Sequence, residues 1–362
     1  MRYVDCVFGK EADKLKNMNY FSALKQSFII AEIGVNHNGD IALAKKLVEA
    51  AKKAGADAVK FQTFTAAALV SPGTPKVHYQ LNTTSVDETH YEMLKRLELS
   101  KQAHLDLATY CQELGIDFIS TPYDIQSAAF LEGIGVRFFK TASADLVDLP
   151  LQRFIAATGK SVIIATGMAT LGEVEHVVNI YSDEGNSNVV LLHAVSNYPC
   201  SDESLNLRAM HTLAQAFSLP VGFSDHSEGY LGAVLSIAMG AKVIEKHFTL
   251  DKSMAGPDHK ASSTPLEFAE LVRNVRRAEQ MLGSARKICQ PEERQMATVS
   301  RKSLTLARDI KTGETLKDLD VQLMRPGSGI DASHISKIVG QKARISLNAG
   351  HQLKWSDIED CS

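Results

Sequence analysis

Eight short apolar runs alternate with amphipathic stretches along residues 28–282, and that alternation leaves few folds open to this chain. The runs lie near 28–31, 58–61, 117–120, 137–140, 161–165, 189–193, 221–223 and 242–247. Helical patterns separate them: Ile41–Ala54, Lys101–Leu114, Ile125–Ile134, Leu149–Thr158, Leu171–Tyr181, Asn206–Phe217, Tyr230–Ala238 and Pro265–Leu282. Such alternation predicts βα units and a parallel sheet. Gly55, Gly115 and Gly240 each follow a helical pattern, where a left-handed cap favours glycine. Eight right-handed units close a (β/α)8 TIM barrel.

Polar residues stand just after these runs. Glu32 closes the first, Lys60 and Gln62 the second, Ser120 and Thr121 the third, and Lys140 the fourth. His193 ends the sixth, Ser224 and His226 follow the seventh, and Glu245, Lys246 and His247 end the eighth. Side chains at the C-terminal ends of barrel strands form the active-site mouth, so the pattern locates a site before it names a reaction.

With 362 residues, the chain has room for one barrel of about 250 residues and a small second domain. A net charge of −3 provides neither a basic stripe for nucleic acid nor a polybasic membrane anchor. The cysteines Cys6, Cys111, Cys200, Cys289 and Cys361 form no CxxC pair, as expected of reduced thiols in the cytoplasm. No apolar stretch reaches the roughly 20 residues of a membrane span.

Residues 1–27 precede the first strand as an extension, a peripheral helix or hairpin, in which Met18 is an alternative start. Residues 65–99 make one long loop, with Pro72, Gly73, Pro75 and Tyr79, expected on the substrate side. Residues 283–300 are expected to be a linker and residues 301–362 a small domain. Within the latter, Gly313, Leu316, Lys317 and Asp320 align at one offset with Gly350, Leu353, Lys354 and Asp357, which suggests two similar halves.

His226 and His247 end neighbouring strands. Two imidazoles, with water and substrate oxygens, can make an open site for Mn²⁺, Co²⁺ or Mg²⁺, and less readily Zn²⁺. Either ring alone could instead be satisfied by backbone. Lys60 and Lys140, buried at the mouth, need anionic partners. Thr121, Ser143, Ser196 and Ser224 add hydroxyl donors, so a phosphate or carboxylate of a substrate suits them. An ion pair with Glu32 or Glu245 is the structural alternative for one lysine, and a Schiff base is another chemistry for either. Glu32, Asp145 and Asp258 complete the carboxylates. Glu32 stands out because Ile33-Gly34 and then Asn36-His37-Asn38-Gly39 are expected to form a turn directly above the barrel axis.

At these residues the chain resembles the sialic acid synthase family, the phosphoenolpyruvate-dependent synthases of nonulosonic acids. The matching runs are Ala31-Glu-Ile-Gly-Val-Asn-His-Asn-Gly39, Val59-Lys-Phe-Gln-Thr63, Phe118-Ile-Ser-Thr-Pro122, Ala165-Thr-Gly-Met168, Gly222-Phe-Ser-Asp-His226, Ile244-Glu-Lys-His-Phe-Thr249 and Gly256-Pro-Asp-His259. Met324-Arg-Pro-Gly-Ser-Gly-Ile330 resembles the family's antifreeze-like (SAF) domain. The resemblance implies a divalent metal, best Mn²⁺, on His226 and His247. It implies phosphoenolpyruvate on Lys60, Thr121, Lys140, Ser143 and Ser224, and an acetamido hexose facing Gln62, Tyr198 and Asp258. Glu32 would stand beside the reacting carbons, and Arg325 would arrive from the other subunit of a domain-swapped homodimer. Asp145, Ala165 and Ser196 depart from the commoner family pattern at positions near the substrates.

The expected activity is a transferase that condenses phosphoenolpyruvate with N-acetylmannosamine to give N-acetylneuraminic acid and phosphate. The alternative is N,N'-diacetyllegionaminate synthesis from 2,4-diacetamido-2,4,6-trideoxymannose, with the pseudaminate branch a poorer match. A Schiff-base pyruvate aldolase and a non-catalytic sugar-binding barrel are the rivals of other classes.

Overall fold

The computed structural model describes residues 19–359 apart from 72, 82 and 86. Met18 and the rest of residues 1–18, Pro72, Cys6 and Cys361 lie outside the described residues. The chain divides into two compact units, Met1–Gly283 and Ser284–Ser362.

The first unit is a (β/α)8 barrel. Its strands are β1 (Phe28–Gly34), β2 (Ala58–Thr63), β3 (Asp117–Pro122), β4 (Phe138–Thr141), β5 (Ser161–Ala165), β6 (Val189–Ala194), β7 (Val221–Asp225) and β8 (Val243–His247). They pair in parallel in the order β3-β2-β1-β8-β7-β6-β5-β4, and β3 and β4 also lie against each other, which nearly closes the ring. Eight crossover helices follow the strands, from Ile41–Lys53 after β1 to Pro265–Leu282 after β8. Local chemistry fixes their starts: Asp40, Ser100, Asp124, Asp148, Thr170 and Thr264 each cap a helix through the side-chain oxygen.

Alternation along each strand separates two apolar layers. Ile29, Ala31, Ile33, Val59, Phe61, Phe139, Val162, Ile164, Leu191, Phe223 and Ile244 pack outward beneath the helices. Phe28, Ile30, Ala58, Ile119, Phe138, Ile163, Val190, Leu192 and Val243 fill the interior as a separate cluster. Continuing the inward parity up each strand gives Glu32, Lys60 and Gln62, Thr121, Lys140, Ala165, Ser224, and finally Glu245 and His247. The polar mouth is therefore the layer directly above the apolar floor. The same parity corrects part of the polar pattern in the sequence. Ser120, His193 and Lys246 end strands but alternate with the inward set; His193 stacks on Phe223 and hydrogen-bonds the Leu205 carbonyl at 2.7 Å.

Residues 19–24, expected in a peripheral extension, belong to the barrel. Phe21 is fully buried in the interior cluster with Tyr20 and Leu24 beside it, and it packs on Phe138 at 5.8 Å between ring centroids. Asn19 holds the turn by donating to the carbonyls of Ser187 and Val189. The long loop of 65–99 contains helices Ala66–Leu69, His78–Leu81 and His90–Leu97. The last carries a Thr89/Glu92 capping box that the sequence displays as Thr-x-x-Glu.

In the second unit, β9 (Ser303–Leu306) pairs antiparallel with β10 (Val321–Met324) around a core that includes Leu304, Leu306, Ile310, Leu316, Ile338, Leu347 and Leu353. The repeated motif has a structural basis. Leu316 and Leu353 are both buried, and each is followed by a short 3-10 turn, Asp318–Asp320 and Trp355–Asp357. Each turn is closed the same way, with the Lys317 and Lys354 amides donating to Asp320 and Asp357 at 2.9 Å. Within the expected linker 283–300, Arg294–Ser300 is a helix with no buried residue; lacking an apolar stripe, it left no helical signature in the sequence. Among the described residues no helix is long and apolar enough to cross a membrane.

If Phe21 plugs the barrel floor, Phe21→Ala should cost about 3–5 kcal/mol of barrel stability. Urea unfolding followed by aromatic circular dichroism measures it; an unchanged midpoint would show that the turn is peripheral.

Candidate functional site

The barrel mouth opens into a cavity of about 1090 Å³. Glu32, Lys60, Gln62, Thr121, Lys140, Ser143, Ser196, Tyr198, Ser224, His226, His247 and Asp258 all line it, so twelve sequence-derived candidates converge. Two do not. Asp145 does not line the cavity: it sits within the 3-10 turn Ser143–Val147, where only the residues before it reach the opening. Burial, and then Asp148, raise its carboxyl to about 7. Arg325 belongs to the second unit, exposed on the turn that follows β10.

Four charges form the centre of the mouth. Lys60 Nζ lies 2.7 Å from Glu32 and 3.8 Å from Glu245, and Lys140 Nζ lies 3.6 Å from Glu245. None of the four residues is more than 4% exposed. Removing such ions from water costs several kcal/mol each, so mutual pairing is a condition of the fold. From sequence, a substrate anion was expected for both lysines, with an ion pair to Glu32 or Glu245 as the alternative for one; in the structure both lysines are paired with these carboxylates. Glu245 was missing from the site expected from sequence. Its signal was parity: on a strand, residues 245 and 247 share a face.

The two carboxylates are not equivalent. Glu245 stands between both lysines and accepts from Ser224 Oγ at 3.0 Å. Burial alone would raise it, but Lys140 and Lys60 outweigh that and hold it far below the ordinary range. Glu32 has only Lys60 as a close cation and feels Glu245 as a like charge. Burial dominates and raises Glu32 to about 7. Among the lysines, burial lowers Lys140, whereas for Lys60 the effect of burial is overcome by Glu245 and Glu32, which raise it.

The geometry around Glu32 explains the glycine that follows two positions later. The β1–β2 ladder shifts register between Glu32 and Gly34, and Gly34 has φ +55°. A Cβ there would lie 2.9 Å from Glu32 Oε1 and 3.2 Å from Gln62 Nε2. A bulge of this kind at a strand end re-aims side chains. Gln62 then donates to Glu32 at 3.3 Å and Lys60 to Thr121 at 3.2 Å. Opposite, Ser143 accepts from the Gly167 amide at 3.0 Å, and a Cβ at Gly167 would meet Ser196 Oγ and Ser143 Oγ within 2.8 Å. The glycine thus leaves two hydroxyls facing the cavity, a cradle for an anion.

His226 and His247 have ring centroids 5.6 Å apart, with Tyr198 against both. His226 Nδ1 is 2.7 Å from the Val195 carbonyl. A carbonyl only accepts, so Nδ1 carries the proton and Nε2 keeps its lone pair. Burial lowers both rings and favours the neutral form; for His247 the proximity of His226 adds to it. His247 Nδ1 is buried without a hydrogen bond and lies 3.8 Å from Asp258. Neutral rings with an available nitrogen fit two ligands of a divalent cation. Among the described residues no cluster of three or more His, Cys, Asp or Glu could hold a metal, so further ligands would be water or substrate.

Two loops meet beside this pair. Asn36 donates to the Phe248 carbonyl and to Ser262 Oγ, and Asn38 to the Ala255 carbonyl. Ser262 Oγ in turn donates to the Asp258 carbonyl at 2.7 Å. The turn after β1 therefore fixes the loop that carries Asp258.

The asymmetry of the carboxylates gives a direct test. Carboxyl carbon NMR should show Glu32 titrating near pH 7 and Glu245 ionised throughout the neutral range. Because the folded value of Glu32 exceeds its ordinary 4.5, its contribution to stability is full below 4.5 and is lost as pH rises toward 7. Glu32→Gln should remove both the titration and that slope; a slope that persists would assign it to another group.

Comparison with known proteins shows the family. Residues 47–287 match the model of the NeuB family and residues 301–359 that of the SAF domain. An N,N'-diacetyllegionaminic acid synthase of Legionella pneumophila is 48% identical over 92% of this chain and 94% of that protein. One of the same name from Campylobacter jejuni is 42% identical over 88% of this chain and 96% of its own length. The crystal structure of N-acetylneuraminic acid (sialic acid) synthetase from Leptospira borgpetersenii in complex with citrate aligns with TM-score 0.68 and 34% identity, covering 75% of this chain and 90% of that one. The chain belongs to the NeuB family of sialic acid synthases and ends in a SAF domain.

Proposed function

We propose that this chain condenses phosphoenolpyruvate with 2,4-diacetamido-2,4,6-trideoxymannose to give N,N'-diacetyllegionaminic acid and phosphate. The observation that carries the reading is the buried quartet Glu32, Lys60, Lys140 and Glu245 beneath a paired-histidine mouth, in a chain similar over nearly its whole length to synthases of that product. N-acetylmannosamine, the first expectation from sequence, gives way to the alternative on that similarity. The cavity wall agrees: Val35, Leu69, Val70, Met93, Leu94 and Leu97 line it, an apolar surface suited to a 6-deoxy sugar with a second acetyl group.

Lys60 and Lys140 would exchange part of their pairing with the carboxylates for the phosphate and carboxylate of phosphoenolpyruvate, with Ser143, Ser196, Thr121 and Ser224 as hydroxyl donors. Where Glu32 is protonated, below about pH 7, the quartet carries net positive charge, which favours an anionic substrate. His226 and His247 would hold a divalent cation, Mn²⁺ as the resemblance implies or else Co²⁺ or Mg²⁺, which when bound would polarise the open-chain aldehyde. Gln62, Tyr198 and Asp258 would orient the sugar so that C3 of phosphoenolpyruvate attacks it. Water then adds to C2, Glu32 takes or gives the proton, and the tetrahedral intermediate expels phosphate. In the swapped homodimer implied by the resemblance, Arg325 would come from the second subunit. A Schiff base on Lys60 is disfavoured, because Glu32 holds it at 2.7 Å and it is shifted toward the charged form; on Lys140, which burial lowers, only the pairing with Glu245 at 3.6 Å opposes it.

The test is phosphate release from phosphoenolpyruvate with a panel of acetamido hexoses. The kcat/KM for 2,4-diacetamido-2,4,6-trideoxymannose should exceed that for N-acetylmannosamine by at least about tenfold, the discrimination that one apolar contact supplies. The reverse order would return N-acetylmannosamine as the substrate.

A further inference from the structure

We propose that Asp225 and Lys246, whose charged groups pair with each other on the outer face of β7 and β8, are positioning residues for His226 and His247. The proposal rests on the reading of those histidines as a ligand pair.

Asp225 and Lys246 face outward from β7 and β8 and are paired in register across the ladder. Their charges lie 2.9 Å apart, and both side chains are buried. Around them is the outer apolar layer, which includes Phe223, Ile244, Ala233 and Ile237. A barrel gains little from an ion pair there, since well-packed apolar residues of similar volume usually serve stability as well or better. What is particular is the placement: each charge is the chain neighbour of one histidine. His226 follows Asp225 and His247 follows Lys246.

The pair also grips the backbone beyond His226. Asp225 Oδ1 accepts from the Ser227 amide at 2.9 Å and from Ser227 Oγ at 2.6 Å, and Lys246 Nζ donates to the Ser227 carbonyl at 2.7 Å. Residue 227 is thereby held at both its amide and its carbonyl by side chains from two strands. On the inner side, the His226 ring is fixed through Val195 and its carbonyl accepts from the Cys200 amide at 2.8 Å. The His247 carbonyl accepts from Ser263 at 2.8 Å. At the end of the β7–β8 ladder, the cross-strand charge pair ties these two anchorages together from behind and so helps set the spacing between the rings. Groups behind metal-binding histidines act by orienting them, and their loss weakens metal binding about 10–100-fold.

Binding of Mn²⁺ alone, followed by the electron paramagnetic resonance signal of the free ion, separates positioning from stability. The double variant Asp225→Leu/Lys246→Met removes both charges and leaves none unpaired. Ser227 loses three buried hydrogen bonds, so we expect a folded protein with a somewhat lower thermal midpoint, together with roughly 10–100-fold weaker Mn²⁺ binding at a temperature well below that midpoint. His226→Ala/His247→Ala supplies the baseline without the site. Wild-type affinity in the double variant would overturn the positioning role. Absence of binding by the wild type itself would overturn the ligand reading, and this proposal with it. Should the double variant fail to fold, Asp225→Glu keeps the charge pair but displaces the carboxylate by one methylene. Weaker Mn²⁺ binding there supports positioning, and unchanged binding overturns it.

Discussion

The buried exchange of charge among Glu32, Lys60, Glu245 and Lys140 is the interaction on which the rest of this structure depends. Two lysines inside a barrel are tolerable only because two carboxylates share them. That sharing is uneven: Lys60 is 2.7 Å from Glu32, whereas Glu245 is bracketed at 3.8 and 3.6 Å by both lysines. One acid is therefore firmly ionised and the other sits near neutrality. A site of this kind holds an available proton and a latent positive charge together, which suits an anionic enol phosphate. In the proposed reaction, the other mouth residues would orient the substrates around it.

The barrel supplies that placement through strand parity. An interior floor of Phe28, Ile30, Phe138, Ile163, Val190, Leu192 and Val243, closed from below by Phe21, excludes water from one side of the charged layer. The next inward position on each strand carries the chemistry. The outward positions hold residues that resemble the functional ones by type but serve other ends, as with His193 on the Leu205 carbonyl and Lys246 on Asp225. Charge burial on both faces of β8 is the unusual feature of this chain, and the outer pair is best understood through the histidines it flanks.

Much of this was legible in the sequence for physical reasons. Strands and crossover helices announce themselves through period, so the barrel and its eight units could be read directly. The mouth residues could be read because they stand at strand ends. What the linear pattern blurred was direction. A residue at a strand end looks functional until its parity with the apolar floor is counted, which would have excluded His193 and included Glu245. Asp145 was drawn in as the acid that closes the family-like run from Lys140, although its place within a 3-10 turn leaves it off the cavity lining. The helices of 65–99 were hidden because they are short and their burial depends on tertiary neighbours such as Val35 and Tyr123. No period reveals those neighbours, though the Thr89/Glu92 box was visible. Phe21 was hidden for a related reason, since an aromatic before the first strand gives no sign that it folds under the barrel.

In the proposed reaction the lysines hold the phosphate ester intact while carbon chemistry proceeds at C2 and C3. Phosphoenolpyruvate labelled with ¹⁸O at the bridging oxygen tests this most directly, because the bond that breaks decides where the label goes. With the matching acetamido sugar, mass spectrometry should find the label in the released phosphate, the result of C–O cleavage. Label retained in the nonulosonic acid would mean P–O cleavage and would contradict the role assigned here to Lys60, Lys140 and Glu32.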